Sequence, residues 1–357
     1  MRTHKIAAIP GDGIGQEVIP AGLEVLRALA ERAGDFSLDV QDFPWGSDFY
    51  RATGRMMPED GLATLEGFDA IYFGAVGDPH LPDSLTLWGL RLAICQGFDQ
   101  YANLRPTRVL PGLESPLRGL APGALDWVIV RENSEGEYAG HGGRAHRGHA
   151  IEIATETSIF TRVGVERIMR TAFTIAAARP RKLLTVVTKS NAQRHGMVFW
   201  DEVAADVARD FPEVTMEKEL VDAMAARMVR KPASIDTVVA TNLHADILSD
   251  LAGALAGSLG VAPTANLDPS RQKPSMFEPI HGSAFDITGK GVANPIATFW
   301  TACMMLEHLG EKPAATRLMR AIEMATAKGA LTPDLGGTAT TKQVTAAVVE
   351  AIRSDNQ

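Results

Sequence analysis

Short apolar runs alternate with longer amphipathic segments along most of the chain. The clearest runs cover residues 5–10, 70–76, 127–130, 183–187 and 235–240. Buried strands that alternate with helical segments are typical of α/β proteins, in which helices cover a sheet. The pattern therefore predicts a layered α/β fold.

Each of these runs ends in a cluster of glycine or polar residues. The clusters read GDGIG at 11–15, GDP at 77–79, REN at 131–133, TKSN at 188–191 and TN at 241–242. In open α/β sheets, ligands gather beyond the carboxyl ends of the strands. The five endings therefore predict the wall of a polar small-molecule site, as in an enzyme.

A pair of carboxylates follows the last run. Asp246 and Asp250 lie four residues apart on a predicted helix, so both occupy one helix face. Two like charges there destabilise the helix by about 0.2–0.5 kcal/mol, which an oxygen-preferring cation such as Mg²⁺ or Mn²⁺ would offset. A solvated face near a helix N-terminus is the commoner explanation of such a spacing. The pair alone leaves both interpretations open.

Two glycine-rich segments have the composition of cofactor loops. The segment PGDGIG at 10–15 reads G-x-G-x-G, whereas the dinucleotide fingerprint is G-x-G-x-x-G. The displaced third glycine argues against a Rossmann domain. The segment EPIHGSAFDITGKGVANP at 278–295 would let a phosphate or an adenosine approach the backbone closely. An ordinary surface loop is the alternative for the second segment.

The remaining candidates carry less information by themselves. His141, His146 and His149 lie in a glycine- and arginine-rich stretch, and their spacing fits an exposed arm better than a zinc site. Lys189 follows an apolar run, where it is either a surface lysine or a general base.

Composition narrows the class of protein. The chain has 357 residues, of which 45% are hydrophobic and 22% charged, with a formal net charge of −8 and two cysteines. The net negative charge gives no excess of basic residues for binding nucleic acid. Two cysteines are too few for a disulfide framework. Neither a signal peptide nor a membrane span is recognisable. We therefore expect a cytoplasmic protein without nucleic-acid or membrane partners.

Taken together, these segments resemble the isocitrate/isopropylmalate dehydrogenase family. The likeness runs from IPGDGIGQEV at 9–18 to ANPIATFW at 293–300, through QYANLRP at 100–106, VRENSEGEY at 130–138, TKSN at 188–191, DILSD at 246–250 and EPIHGSA at 278–284. Within the family, WGSDFY, GRMMPEDG, SLTLWG and FDQY look most like the tartrate dehydrogenase/D-malate dehydrogenase branch.

The resemblance implies a two-domain, isopropylmalate dehydrogenase-like α/β fold with its active site in the interdomain cleft. Residues 1–100 and 257–357 would form a large cofactor-binding domain. Residues 101–256 would form a small domain with the dimer interface and an arm at 137–156. The resemblance also implies a homodimer in which Lys189 and Asp222 reach into the partner's site.

The resemblance further assigns roles to individual residues. Asp222, Asp246 and Asp250 would bind Mg²⁺ or Mn²⁺, with a monovalent cation as a further candidate. Lys189 would take the substrate's hydroxyl proton, and Tyr138 would return a proton to carbon. The residues implied in substrate binding are Arg91, Arg105 and Arg131. Those implied in cofactor binding are His281, Gly282, Ser283, Ala284, Asp286 and Asn294.

Two departures from the family pattern affect these expectations. Asp286 stands where NAD-using members carry an acid, which favours NAD over NADP, but Phe285 replaces the usual proline. Cys95 replaces an arginine that the family usually carries ten residues before Arg105. Arg91 lies on the same helix face and would supply a displaced guanidinium, so the substrate would differ from malate or tartrate. The alternative is that Arg91 points outward and Cys95 simply packs.

The expected function is metal-dependent, NAD-linked oxidation of a small 2-hydroxy (di)carboxylic acid such as D-malate or tartrate, with or without β-decarboxylation. Three alternatives stay open at this point. One is a related dehydrogenase for an isopropylmalate-like or novel hydroxy acid. Another is a near-redox-neutral decarboxylase, and the third is a catalytically silent regulatory subunit.

Overall fold

The computed structural model describes residues 1–355 and divides them into two compact units. Unit 1 consists of Met1–Gln100, Pro106–Gly123 and the chain from Gly253 onward. Unit 2 consists of Tyr101–Arg105 and Ala124–Ala252. The assignment of these units to a cofactor-binding domain and a dimer-forming domain stays a prediction.

Unit 1 is an α/β unit built from both ends of the chain. Its strands are β1 (Arg2–Gly11), β2 (Phe36–Asp42), β3 (Ala70–Ala75), β11 (Pro263–Leu267) and β12 (Ser275–Pro279). Its helices are α1 (Gly15–Ala33), α2 (Ser47–Thr53), α3 (Gly61–Leu65), α4 (Asp83–Thr86), α5 (Leu92–Gly97), α10 (Ile296–His308), α11 (Lys312–Ala327) and α12 (Thr341–Ser354). A π-helical turn, Leu87–Arg91, joins α4 to α5.

The strands of unit 1 follow the order β2-β1-β3-β12-β11. The pairs β1/β2, β1/β3 and β3/β12 are parallel, and β11/β12 is antiparallel. In β1, Ile6 and Ala8 join one hydrophobic cluster, whereas Ala7 and Ile9 join another. Successive strand residues face opposite sides of a sheet. The continuous apolar run of β1 therefore reflects a strand buried on both faces.

Unit 2 contains a parallel sheet in the order β5-β10-β8-β9. Its strands are β5 (Asp126–Glu132), β6 (Gly136–Ala145), β7 (Ile153–Ile159), β8 (Leu183–Thr188), β9 (Thr215–Leu220) and β10 (Thr237–Ala240). Its helices are α6 (Arg162–Ala178), α7 (Gly196–Ala208), α8 (Val221–Arg230) and α9 (Asn242–Leu255), of which the last three residues belong to unit 1. The residues of β4 (Ala102–Arg108) divide between the two units.

Strands β6 and β7 form a separate antiparallel hairpin in unit 2. Residues 140–158 of this hairpin are exposed, including the three histidines His141, His146 and His149. Among residues 1–355, no group of three or more His, Cys, Asp or Glu is placed to hold a metal ion. The hairpin therefore has the exposure expected of an arm.

The predicted α/β fold is confirmed, and each of the five predicted runs forms a strand. The bounds differ by a few residues: the run at 235–240 forms a strand only from Thr237 to Ala240. No helix in the part of the chain that the structure describes is long and apolar enough to cross a membrane.

Candidate active site

The carboxylate pair lies on helix α9 of unit 2, directly after strand β10. The side chains of Asp246 and Asp250 are 35% and 59% exposed. The pKa of Asp250 is raised, mainly by burial, while the guanidinium of Arg105 lowers it and the charge of Asp246 raises it again. The two carboxylates thus face the same charged surroundings, as their four-residue spacing predicts.

Two buried arginines contact this pair. Arg131 lies at the end of β5 and forms an ion pair with Asp246. Arg105 lies 3.4 Å from an oxygen of Asp246 through Nη2 and 4.0 Å from Asp250 through Nη1. Arg131 and Arg105 are only 2% and 4% exposed. Unit 2 therefore brings together two of the three candidate metal-binding carboxylates and two of the three candidate arginines.

Neutral side chains fix the orientation of both guanidinium groups. The Oδ1 atom of Asn242 accepts hydrogen bonds from Nε and Nη2 of Arg131, at 3.0 and 2.6 Å. Arg105 donates from Nε to Asn103 at 2.9 Å and from Nη1 to Ser249 at 2.5 Å. Asn103, Asn242 and Ser249 are not among the candidate residues predicted from the sequence. The position of Asn242 after a strand end was the one available signal for that residue.

Tyr138 contacts the same carboxylate. Its hydroxyl donates to Oδ2 of Asp246 at 3.2 Å, and the guanidinium carbon of Arg131 lies 5.3 Å from its ring centroid. The neighbouring Glu137 accepts from the Thr241 hydroxyl at 2.9 Å and from the Leu243 backbone N–H at 3.2 Å. A carboxylate at a helix N-terminus is electrostatically favourable. Glu137 therefore ties the strand that carries Tyr138 to the start of α9.

Lys189 and Asp222 form a second pair in unit 2. The Lys189 ammonium donates to the Asp222 carboxylate and holds its pKa below the ordinary value. Their side chains are 28% and 65% exposed. Among residues 1–355 of one chain, no group of three or more His, Cys, Asp or Glu is placed to hold a metal ion, so one chain does not bring Asp222 together with Asp246 and Asp250 as a metal site.

Arg91 belongs to unit 1 and has other contacts. Its Nε donates to both carboxylate oxygens of Glu278, at 2.8 and 3.0 Å, and Nη2 lies 3.4 Å from Oδ1 of Asn266. Its side chain is 11% exposed, so the alternative prediction that Arg91 points outward is wrong. Cys95 is 1% exposed and packs in the cluster that contains Leu90 and Phe98, as the same alternative predicted.

The candidate cofactor loop follows strand β12 in unit 1. His281 Nδ1 lies 3.0 Å from the carbonyl oxygen of Gly282, and burial lowers the pKa of the imidazole. Its Nε2 atom is buried and has no hydrogen-bond partner among residues 1–355. A Cβ at Gly282 would meet no atom within 4 Å, and Asp286 is exposed. The loop thus offers an unsatisfied imidazole nitrogen, open space and an accessible carboxylate.

Two further residues of the loop have structural contacts. Ala284 adopts a left-handed backbone conformation with φ 42°. Asn294 is 5% exposed; it accepts from the Ile296 backbone N–H at 3.0 Å and donates to Asp334 at 3.0 Å. The side chain of Asn294 therefore holds the start of α10.

Comparisons with known proteins agree with the resemblance in the sequence. The family described as isocitrate/isopropylmalate dehydrogenase matches residues 5–352. A probable tartrate dehydrogenase/decarboxylase of Agrobacterium vitis is 73% identical over 356 residues, which cover 100% of this chain and 99% of that protein. A D-malate dehydrogenase (decarboxylating) of Escherichia coli strain K12 is 50% identical over 99% of both chains.

A solved structure shows the same fold. The crystal structure of isocitrate dehydrogenase from Methylococcus capsulatus matches with a TM-score of 0.88 and 34% identity. The match covers 98% of this chain and 100% of the other. The expected family is therefore confirmed from sequence and from structure.

Proposed function

This chain belongs to the isocitrate/isopropylmalate dehydrogenase family, and from that premise we propose that it oxidises a small 2-hydroxy dicarboxylic acid, D-malate or tartrate, with NAD and a divalent cation. The observation that carries the proposal is the cluster of Asp246, Asp250, Arg105, Arg131 and Tyr138 in unit 2. The similarity to proteins named as decarboxylating dehydrogenases of tartrate and D-malate favours these substrates over the different acid that a displaced guanidinium of Arg91 would imply.

The donor set fits a hard divalent cation. Asp246 and Asp250 offer carboxylate oxygens from one helix face, which are the ligands that Mg²⁺ and Mn²⁺ prefer. One chain supplies these two, and Asp222 of the second copy would complete the set. A cation held there would lower the pKa of the substrate's 2-hydroxyl and stabilise negative charge on its oxygen.

The loop at 281–294 fits a dinucleotide. The unsatisfied Nε2 of His281 and the open space beside Gly282 suit a ligand that approaches the backbone. The exposed carboxylate of Asp286 would accept hydrogen bonds from ribose hydroxyls and would repel a 2′-phosphate, which favours NAD over NADP. The loop would hold NAD, which would supply the hydride acceptor for oxidation at carbon 2 of the substrate.

The side chains of the chain itself would move the protons. Lys189 would take the proton of the 2-hydroxyl as a neutral amine and become the ammonium that pairs with Asp222, the residue that orients it. The 2-keto product of D-malate or tartrate has its second carboxylate β to the ketone, so the bond between carbon 3 and that carboxylate can break and release carbon dioxide. Tyr138 would then donate a proton to the carbon that had carried the departing carboxylate. Arg105 and Arg131 would bind substrate carboxylates in fork geometry.

The exposed hairpin supports a homodimer. A two-stranded hairpin is marginally stable in water by itself, yet residues 140–158 are exposed, with Ile151 and Ile153 at 69% and 54%. A second copy of the chain would cover these side chains. In that dimer, Lys189 and Asp222 of each copy would serve the site of the other.

A panel of hydroxy acids tests the proposal. Formation of NADH is followed with D-malate, tartrate, isopropylmalate and isocitrate, each with NAD or NADP and with or without Mn²⁺. We expect turnover of D-malate or tartrate with NAD and Mn²⁺, and little turnover of isopropylmalate. A preference for isocitrate with NADP, or turnover that no chelator reduces, would refute the proposal.

A further inference from the structure

Three loops of unit 1 start at the same edge of its sheet. Strand β3 pairs in parallel with both β1 and β12, so the carboxyl ends of the three strands lie side by side. The glycine-rich turn at 11–15 follows β1, the segment at 76–79 follows β3, and the candidate cofactor loop follows β12. Ligands of α/β proteins bind at such an edge.

The carboxylate of Asp12 connects two of these segments with the start of α2. It is 5% exposed and accepts three hydrogen bonds. Ser47 donates from its backbone N–H and from Oγ, both at 2.7 Å, and the Gly77 backbone N–H donates at 2.9 Å. Gly46 has φ 145°, and a Cβ there would lie 2.6 Å from Oδ1 of Asp12. The backbone therefore closes tightly around this carboxylate.

The turn that carries Asp12 also holds the cofactor loop. The backbone N–H of Ile14 donates to the Ser283 carbonyl at 2.8 Å. A Cβ at Gly13 would lie 2.0 Å from that carbonyl oxygen, and a Cβ at Gly77 would lie 3.4 Å from the Ser283 hydroxyl. Ser283 thus packs against both segments that Asp12 joins.

We infer that Asp12 is a positioning residue for the dinucleotide: by holding Gly77 and Ser47 against the turn, it sets the surface on which Ser283 and the cofactor loop rest. The inference rests on the proposed function, since it concerns the NAD site assigned there. It also explains why PGDGIG departs from the dinucleotide fingerprint. This segment supports the loop that binds the cofactor.

The test measures NADH binding in the absence of hydroxy acid. Asp12→Asn replaces one accepting oxygen with an NH₂ group that cannot accept from Ser47 or Gly77, and Ser47→Ala removes a single donor. Asp48→Asn is the matched control, because that side chain is 99% exposed and contacts only Arg51 among the described residues. Fluorescence titration gives the Kd of NADH, and Mn²⁺ titration reports independently on the carboxylates of unit 2.

We expect Asp12→Asn to weaken NADH binding about tenfold and Ser47→Ala about threefold, from the loss of hydrogen bonds to a charged group. Asp48→Asn should leave NADH binding unchanged, and all three variants should bind Mn²⁺ normally. An unchanged Kd of NADH in Asp12→Asn would overturn the inference and leave the proposed function intact. An equal loss of NADH and Mn²⁺ binding would overturn it too, because it would indicate general destabilisation.

Two further results separate the remaining outcomes. If Asp12→Asn is too unstable to purify, Ser47→Ala decides alone: a selective loss of NADH affinity supports the inference, and an unchanged affinity refutes it. If the unaltered protein does not bind NADH, the proposed function and the inference both fail.

Discussion

The guanidinium of Arg91 donates from Nε to both carboxylate oxygens of Glu278, at 2.8 and 3.0 Å. The two side chains are 11% and 6% exposed. Asn266 adds a hydrogen bond to the same carboxylate at 2.7 Å. The pair ties the π-helical turn that precedes α5 to the end of β12, from which the cofactor loop starts. With these contacts, the Arg91 guanidinium stabilises the fold of unit 1.

A double-mutant cycle tests the energetic importance of this pair. Arg91→Met leaves the buried Glu278 carboxylate without its cation and should lower the free energy of unfolding by about 3–5 kcal/mol. Adding Glu278→Gln should recover part of that loss, because the buried charge is removed. Urea unfolding of the unaltered protein, both single variants and the double variant gives the coupling energy. Strictly additive effects would contradict the structural role of the pair.

The pH dependence of stability should carry the signature of Glu132. Burial raises the pKa of this carboxyl from the ordinary value of 4.5 to about 7, although Ser134 and Glu135 donate hydrogen bonds to it. The folded state therefore binds more protons than the unfolded state between pH 4.5 and 7. Stability from this group must fall as the pH rises through that window. Urea midpoints are measured from pH 5 to 8 for the unaltered protein and for Glu132→Gln. Up to about pH 7, the midpoint of the unaltered protein should fall more steeply with pH than that of Glu132→Gln.

His308 provides a control of opposite sign. Burial and the nearby charge of Arg271 lower the pKa of its imidazole to about 4. The unfolded state binds more protons than the folded state between pH 4 and the ordinary value of 6.5, so this group adds stability as the pH rises. In His308→Gln, stability should therefore rise less with pH between 4 and 6.5 than in the unaltered protein. Identical slopes in Glu132→Gln and the unaltered protein would refute the first assignment, and identical slopes in His308→Gln would refute the second.

Asp246→Asn should lower Mn²⁺ affinity in the absence of substrate. It removes a charged oxygen ligand, so the loss should exceed the roughly 10–100-fold that a missing outer partner costs. Asp210→Asn is the control: Asp210 is 57% exposed and pairs with Arg170 elsewhere in unit 2. Titration followed by electron paramagnetic resonance gives both affinities. Normal Mn²⁺ binding by Asp246→Asn would exclude this carboxylate as a ligand.

Mixed dimers test whether Lys189 serves the partner's site. Lys189→Ala and Asp246→Asn should each be inactive, but subunit exchange would produce heterodimers with one intact site. Random assortment should restore about a quarter of the unaltered activity. The control pair is Tyr138→Phe with Asp246→Asn, since one chain supplies both residues to the same site. Equal recovery in both mixtures, or none in either, would contradict the shared site.

Local patterns in the sequence predicted the strands and the carboxylate helix well. The apolar runs before Asp12, Arg131 and Asn242 form strands, and Asp246 and Asp250 share a helix face. Both features follow from the spacing of residues within one short segment of the chain. The partner of Arg91 could not be predicted in this way. Glu278 lies 187 positions further along the chain, and only the folded sheet brings the two together.

Burial of polar groups was equally inaccessible from local patterns. Glu132 is 1% exposed and Asp12 is 5% exposed, although both lie in polar clusters that would suit a surface loop. Each carboxylate is satisfied by backbone N–H groups of nearby turns, and the geometry of those turns depends on tertiary contacts. Local patterns thus indicate where candidate site residues lie along the chain, but not which tertiary contacts support them.

The stoichiometry of D-malate turnover tests metal-dependent oxidation and decarboxylation by this protein in one measurement. With NAD and Mn²⁺, NADH is measured by absorbance and carbon dioxide is trapped from substrate labelled at the carboxylate β to the hydroxyl-bearing carbon. We expect one NADH and one labelled carbon dioxide for each D-malate consumed, with both products lost when a chelator is added. Labelled carbon dioxide without NADH, or D-malate left unconsumed alongside rapid oxidation of isopropylmalate, would contradict it.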